Sequence, residues 1–406
     1  MWVSSLPMAS GVLGEPAVHV RRARVAAAAQ FLTNGALFAN LLLRYPEIKV
    51  DLALSNTVYG ITIAAFSAGA FVAGLTAATL IRRFTSARVA VAGTVAIAVF
   101  VFVAGLAPSA VLVGCALVFA GASDAVTDVA QNAHALRVQR SYGRSIINSV
   151  HAVWAAGAVV GGLMGAGAIA LDIPRAVHLG VAGVVFSAVV LVAYRFMLRG
   201  SDEDDHPASL RAEGVRAGST VYLVLAALAV IAIAGAMVED AGSSWAALYL
   251  RDSVGAPGAI AAFGYIALAA FMFVGRLVGD RLVDRFGESA VARAGGALAA
   301  AGMGAALAFP SVPTTIAGFA AAGLGVATAI PAAMHGADQL PGLRPGTGLT
   351  ILTWLLRIGF LVSPPLVGLI ADSTSLRVGM LTVPLAGLVI LALAGALNVR
   401  GRPARS

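Results

Sequence analysis

The chain has 406 residues, of which 59% are hydrophobic and 11% charged, with a mean hydropathy of +0.91; a soluble domain carries roughly 25% charged residues, so a water-soluble globule is excluded. The net charge of +8 is spread over short loops, as membrane topology requires, and does not form the patch that nucleic acid needs. Cys115, the single cysteine, sits in an apolar run and the six histidines show no ligand spacing, which excludes a disulfide framework and leaves no metal or cofactor expected.

In chain order, residues 1–22 read as an N-terminal tail on the cytoplasmic side. The apolar stretch after Arg24 is too long for a cleavable signal, and Met8 is a second candidate for the start. Apolar runs then predict helices over 23–43, 54–81, 88–107, 109–135, 146–170 and 176–197. The segment 198–219 carries Asp202, Glu203, Asp204, Asp205 and Pro207 and reads as a linker. Six more helices follow over 220–249, 259–279, 289–309, 313–336, 347–371 and 377–398, and 399–406 closes the chain. The expectation is an all-α membrane protein of twelve transmembrane helices in two six-helix halves, 23–197 and 220–398. Arg21, Arg22, Arg24, Arg82, Arg83, Arg88, Arg137, Arg140, Arg144, Arg276, Arg281 and Arg285 fall on one side of these spans. The other side has Arg44, Lys49, Arg175, Arg251 and Arg377, each near an acid. The positive-inside rule therefore places both termini in the cytoplasm.

Ionisable groups inside spans are costly, so each is a functional candidate. Gln30 and Asn34, one turn apart on the first helix, are candidate solute ligands. On the fourth helix Asp124, Asp128, Gln131 and Asn132 recur at i, i+4, i+7 and i+8, which puts them on one face. Asp128 is the leading candidate to carry a coupling proton and Asp124 the second, with Gln131 and Asn132 as solute ligands; the competing reading is a static ion pair or a water-facing helix end. The fifth helix carries Asn148, a further ligand candidate, with His151 and Trp154. His151 titrates near neutral pH and either relays protons or packs. Gly157, Gly161 and Gly165 form successive GxxxG steps, read as close helix packing. The seventh helix carries Glu239, a second coupling or binding candidate, and Asp240, expected to point elsewhere, near the outer surface. On the eleventh helix, Trp354 offers an aromatic face to a solute. Arg357 requires an acid or an anionic ligand, and Asp128 or Glu239 is the simplest partner; a sugar acid is the alternative.

Phe71–Phe84 reads FVAGLTAATLIRRF and Phe273–Phe286 reads FVGRLVGDRLVDRF, 202 residues apart. A duplicated membrane protein with a turn at the same point of each half points to a transporter. Asp284, Arg285 and Gly287 match the loop motif G-x-x-x-D-R-x-G of the major facilitator superfamily, which the chain resembles over nearly its whole length. The resemblance implies the two-half fold, alternating access, a monomer, and a gate in which a carboxylate at a helix end pairs with Arg on a neighbouring helix. Arg276, Asp280, Asp284, Arg285 and Gly287 form that gating set, with Arg82 and Arg83 in a first copy where Ala78, Thr79 and Thr85 replace the expected residues. Arg44-Tyr45-Pro46, Glu239 six residues before Trp245, Gly359-Phe360-Leu361, Pro364-Pro365 and Asp128-Val129-Ala130-Gln131-Asn132 are similar to segments of fucose-permease-like transporters of bacterial inner membranes. There the acid matching Asp128 is implicated in proton coupling. Arg357 stands where relatives tend to have Tyr, and Ser244 where they often have an acid.

The expected function is proton-coupled secondary transport of a small polar solute, such as a sugar or sugar-like metabolite, across a bacterial inner membrane. Proton-driven efflux of drugs or metabolites is one alternative, and a non-transporting sensor or partner-binding protein is another. No enzyme is expected: zincin, Ser–His and GxxxxGK[ST] motifs are missing from the sequence.

Overall fold

The computed structural model describes residues 18–144, 146–200, 218–343 and 346–398. Residues 1–17, most of the expected linker (201–217) and the closing tail (399–406) lie outside the described residues. Among the described residues every regular element is helical, and twelve helices are long and apolar enough to cross a membrane. They are α1 (Val18–Asp51), α2 (Asn56–Phe84), α3 (Ser86–Leu106), α4 (Ala110–Tyr142), α5 (Ser149–Ala170) and α6 (Arg175–Tyr194), then α7 (Ser219–Asp252), α8 (Gly258–Phe286), α9 (Glu288–Ala308), α10 (Val312–Asp338), α11 (Thr347–Ser373) and α12 (Leu376–Leu397).

Several helices outrun their apolar runs. α4 continues through Arg137 and Arg140 to Tyr142, because a polar turn beyond the hydrocarbon loses nothing by staying helical. α1 turns at Leu43–Arg44 and resumes over Tyr45–Asp51 with Pro46 in its first turn, where proline's missing N–H is harmless. Arg44 sits buried at that turn. Its Nε donates to His178 Nδ1 (3.1 Å), its Nη1 pairs with Glu47 (2.5 Å) and its Nη2 donates to the Ile173 carbonyl (2.9 Å), tying α1 to α6. α2 tightens to a 3₁₀ turn over Gly74–Thr76.

Small residues let the backbones touch. Gly157 and Gly161 of α5 lie against the carbonyls of Leu32 and Ala36 of α1, and Gly165 against Leu43. Gly35 of α1 returns the contact against the carbonyl of Trp154. An added Cβ at Gly35, Gly157 or Gly161 would overlap backbone, so the GxxxG steps are a packing seam.

The 202-residue repeat is visible in three dimensions. Arg175 Nε donates to the carbonyl of Gly105 (2.5 Å), and Arg377 Nε to that of Leu307 (2.7 Å). Gly121 packs on the carbonyl of Phe66, and Gly323 on that of Leu268. Ser109 and Ser311 each cap the N-terminus of the helix that follows. Thr85 (φ 77°, ψ 149°) and Gly287 (φ 83°, ψ 155°) make the same turn, after Arg83 over the Phe84 ring (5.3 Å) and Arg285 over the Phe286 ring (5.4 Å).

Because successive spans reverse direction, the α2–α3 and α8–α9 turns lie on one face, here the turn face; the α1–α2 and α11–α12 connections lie on the far face. The halves meet on the far face. Asp372 of α11 accepts the backbone N–H groups of Asn56 (2.9 Å) and Thr57 (2.7 Å). Gly60 lies on the carbonyl of Pro364, and Gly368 on that of Asn56. The Tyr59 hydroxyl donates to the Ser244 carbonyl (2.6 Å), and the Tyr59 ring meets Trp245 edge-on at 4.9 Å. On the turn face Arg82, Arg83, Asp280, Asp284 and Arg285 are exposed and, among the described residues, pair with nothing across the halves.

Candidate functional site

A cavity of about 420 Å³ lies between the halves, walled by α1, α2, α4 and α5 on one side and α7, α8 and α11 on the other. In this cavity polar side chains of both halves meet space. On the first wall, Trp154 Nε1 donates to Asn34 Oδ1 (2.8 Å) and Asn34 Nδ2 donates to Asp124 Oδ1 (2.9 Å). An indole is a donor only, so it fixes the amide with its nitrogen toward the acid. One turn along α4, Asp128 Oδ1 accepts from Asn132 Nδ2 (3.0 Å) and Gln131 Nε2 (3.3 Å). Asn132 Oδ1 then faces His151 Nε2 at 3.0 Å. Since Asn132 spends its amide N–H on Asp128, the imidazole is the donor, with its proton on Nε2. The edge of Phe31 holds the ring (centroids 5.2 Å, 75° between planes).

On the second wall, Glu239 of α7 and Arg276 of α8 form an ion pair at 3.9 Å. Ser243 Oγ bonds back to the Glu239 carbonyl (2.8 Å). Asp240, expected near the outer surface, instead lines the cavity and is 8% exposed. At this depth α7 is enclosed by both halves, so two consecutive residues can both be interior. Ser244 Oγ donates to Asp240 Oδ1 (3.3 Å), while Asp240 Oδ2 is buried and has only the Ser363 hydroxyl beside it, which donates to the Met237 carbonyl (3.4 Å).

Four expectations are corrected. Arg357 does line the cavity, but among the described residues it pairs with neither Asp128 nor Glu239; its Nη1 donates to the carbonyl of Ala70 (2.6 Å) and its guanidinium lies against Gly74. The Ala70 carbonyl keeps its helical bond from Gly74 N–H and takes the guanidinium on its second lone pair, and the side-chain-free Gly74 leaves the room for it. Gln30, 1% exposed, turns from the cavity into α3, with its Nε2 on Thr94 Oγ1 (2.6 Å) and the Ala90 carbonyl (3.2 Å). Trp354 is 41% exposed and rests on Phe71 (centroids 4.0 Å) outside the cavity lining. Arg276, grouped with the gate, belongs to the cavity wall through Glu239.

Asn34, Asp124, Asp128, Glu239 and Arg357 are thus brought together on the walls, whereas Gln131, Asn132 and His151 stand behind Asp128. The side chain of Asn148 lies outside the described residues. Asp280, Asp284 and Arg285 form no ion pair among the described residues, and Gly287 supplies the positive-φ turn. Sequence reasoning passed over the wall residues Phe38, Phe66, Phe273 and Phe360. Phe38 lies one turn beyond Asn34, a signal that was available. Among the described residues no three His, Cys, Asp or Glu side chains are placed to hold a metal.

Comparison with known proteins gives the setting. The family model described as Major Facilitator Superfamily matches residues 26–334. An uncharacterized transporter, y4wD, of Sinorhizobium fredii is 29% identical over 372 residues, covering 91% of this chain and 97% of its own. Membrane protein MosC of Rhizobium meliloti is 26% identical, covering 90% of this chain and 88% of its own. Among solved structures, the nucleoside transporter NupG matches with a TM-score of 0.73 at 10% identity, over 94% of this chain and 100% of that one. The transporter FucP in its outward conformation matches with a TM-score of 0.62 at 16% identity, over 92% and 98%.

Proposed function

The chain belongs to the major facilitator superfamily, and from that premise we propose that it is a proton-coupled secondary transporter that moves a small polar solute by alternating access. The observation that carries the reading is the hydrogen-bonded series Asp128–Asn132–His151, which starts on the wall of the cavity between the halves. A carboxyl group that water reaches from one side at a time is suited to load a proton on one side and release it on the other. His151 behind it offers a second titratable position linked through one amide. By the positive-inside rule the turn face is cytoplasmic, and with it both termini. The halves 23–197 and 220–398 rock about the cavity in a bacterial inner membrane, joined by the linker 198–219, in a monomer. Amide and carboxyl groups at Asn34, Asp124 and Glu239 favour a hydroxyl-rich, sugar-like solute.

The stack of Phe38 on Phe66 (4.1 Å) in the same wall favours a second reading, export of an amphipathic solute with the same proton chemistry. Reconstitution in liposomes that contain a pH dye separates the cases. Pools of sugars, sugar acids, amino acids and cationic drugs are added, and proton flux is followed. Solute-dependent flux that Asp128→Asn removes is the expected result. A pool that shifts thermal stability without any flux would turn the reading toward a non-transporting sensor.

A further inference from the structure

The cavity is walled by four carboxylates, Asp124, Asp128, Glu239 and Asp240, and two guanidinium groups, Arg276 and Arg357. Both arginines are committed within the protein, Arg276 to Glu239 and Arg357 to the carbonyl of Ala70. Asp124 and Asp128 accept hydrogen bonds from Asn34 and Asn132. Asp240 differs from all of these. It is 8% exposed, its Oδ2 has only the Ser363 hydroxyl beside it, which donates to the Met237 carbonyl (3.4 Å), and it sits where α7 joins the closed far-face contacts. A buried carboxylate oxygen without a donor is costly, and a charged N–H group is the partner that compensates it best.

We propose that the cavity takes a solute bearing a protonated amine, and that Asp240 is the carboxylate that receives it. The proposal rests on the transport reading and specifies its substrate class. An anionic solute would face an excess of acids with no uncommitted arginine, so the charge balance opposes the sugar-acid alternative. A volume of about 420 Å³ lies within the roughly 300–1,000 Å³ common for small-molecule sites. Tyr265 and Phe360 line the same space and add aromatic surface that attracts cations. The position also couples binding to closure. Ser244 gives its hydroxyl to Asp240 and its carbonyl to Tyr59 of the other half, so an ammonium group on Asp240 lies one residue from a contact that shuts the far face.

The test uses the purified full-length protein and matched solutes of one ring and three charges: glucosamine, glucose and glucuronate, then further amines beside their neutral and acidic counterparts. Thermal stabilisation is read against concentration. The expected result is half-maximal stabilisation by an amine at a concentration at least about tenfold below its counterparts, one hydrogen-bonded charge being worth that much, and loss of this preference in Asp240→Asn. Should that variant not fold, carbodiimide modification of Asp240 in the wild-type protein serves instead, with tertiary amines and their neutral counterparts as protectants because primary amines and free acids react with the reagent; the amines should slow it and the neutral solutes should not. Preference for a neutral or acidic counterpart, preference that survives Asp240→Asn, or no stabilisation and no protection by any amine overturns the proposal. Proteoliposomes separate the two readings. An amine that binds through Asp240 and is not moved overturns transport and leaves the subsite, whereas a neutral solute moved equally well by Asp240→Asn overturns the subsite and leaves transport.

Discussion

The two halves share a scaffold and differ in chemistry. Arg175 on the carbonyl of Gly105 and Arg377 on that of Leu307 are one contact built twice, as are Gly121 on Phe66 and Gly323 on Leu268. At the same 202-residue spacing, Asp124 and Asp128 of α4 correspond to Val326 and Ile330 of α10. Val326 is buried, and Ile330 packs against Gly235 of α7. One register position therefore faces a cavity in the first half and fills a helix seam in the second. Duplication preserved what holds helices together and left free what faces the cavity.

The largest effect should come from removing the chemistry without touching the scaffold. Asp128→Asn is expected to lower proton-driven uptake by about 100-fold or more, the scale of a lost acid–base group, while solute exchange survives; parallel driven and counterflow assays read both. Ile330→Asp added to that variant should restore nothing, since the position meets Gly235, and recovered uptake would break the comparison. The scaffold pair comes next. Gly121→Ala and Gly323→Ala should each cost about 1–3 kcal/mol through backbone overlap, and thermal unfolding in detergent should show both falling by similar amounts. The turns then separate the halves. Gly287→Thr should destabilise by about 1–3 kcal/mol, because its backbone conformation favours glycine and strains a branched residue, and Thr85→Gly should stabilise by about 1 kcal/mol at the equivalent point. Smallest is the difference between Arg175→Met and Arg377→Met. Both lose a carbonyl contact, but Arg175 also pairs with Asp51 at 2.7 Å. An exposed pair adds about 0.2–1 kcal/mol, so Arg175→Met should cost slightly more and only its cost should shrink in high salt.

The scaffold was the more legible part. Twelve spans follow from run length, and the glycines of α5 announce their seam because GxxxG has few other uses. The polar face of α4 was readable from spacing alone, since it depends on one regular helix. What failed depended on two helices at once. Arg357 could not be assigned because its partner is a backbone carbonyl of a neighbouring helix, reached over Gly74, which no apolar pattern marks. Gln30 and Trp354 were read as facing the cavity, but the faces of α1 and α11 that meet neighbours are set by packing. Asp240 was dismissed because a helix was assumed to show one side to the cavity, whereas α7 is surrounded at that depth.

One contact of the far face carries a consequence of its own. The first N–H groups of α2, on Asn56 and Thr57, are met by the carboxylate of Asp372, which belongs to the opposite half. A helix start ordinarily finds its acceptor nearby in its own chain, as Ser55 does for Val58. Here part of the cap is lent across the interface, so whenever the halves part on this side the opening turn of α2 must trade it for water. The amide protons of Asn56 and Thr57 thus become a built-in clock. Their hydrogen–deuterium exchange should quicken with the fraction of time spent open to that side, and a solute that drives the cycle should be visible there without any label.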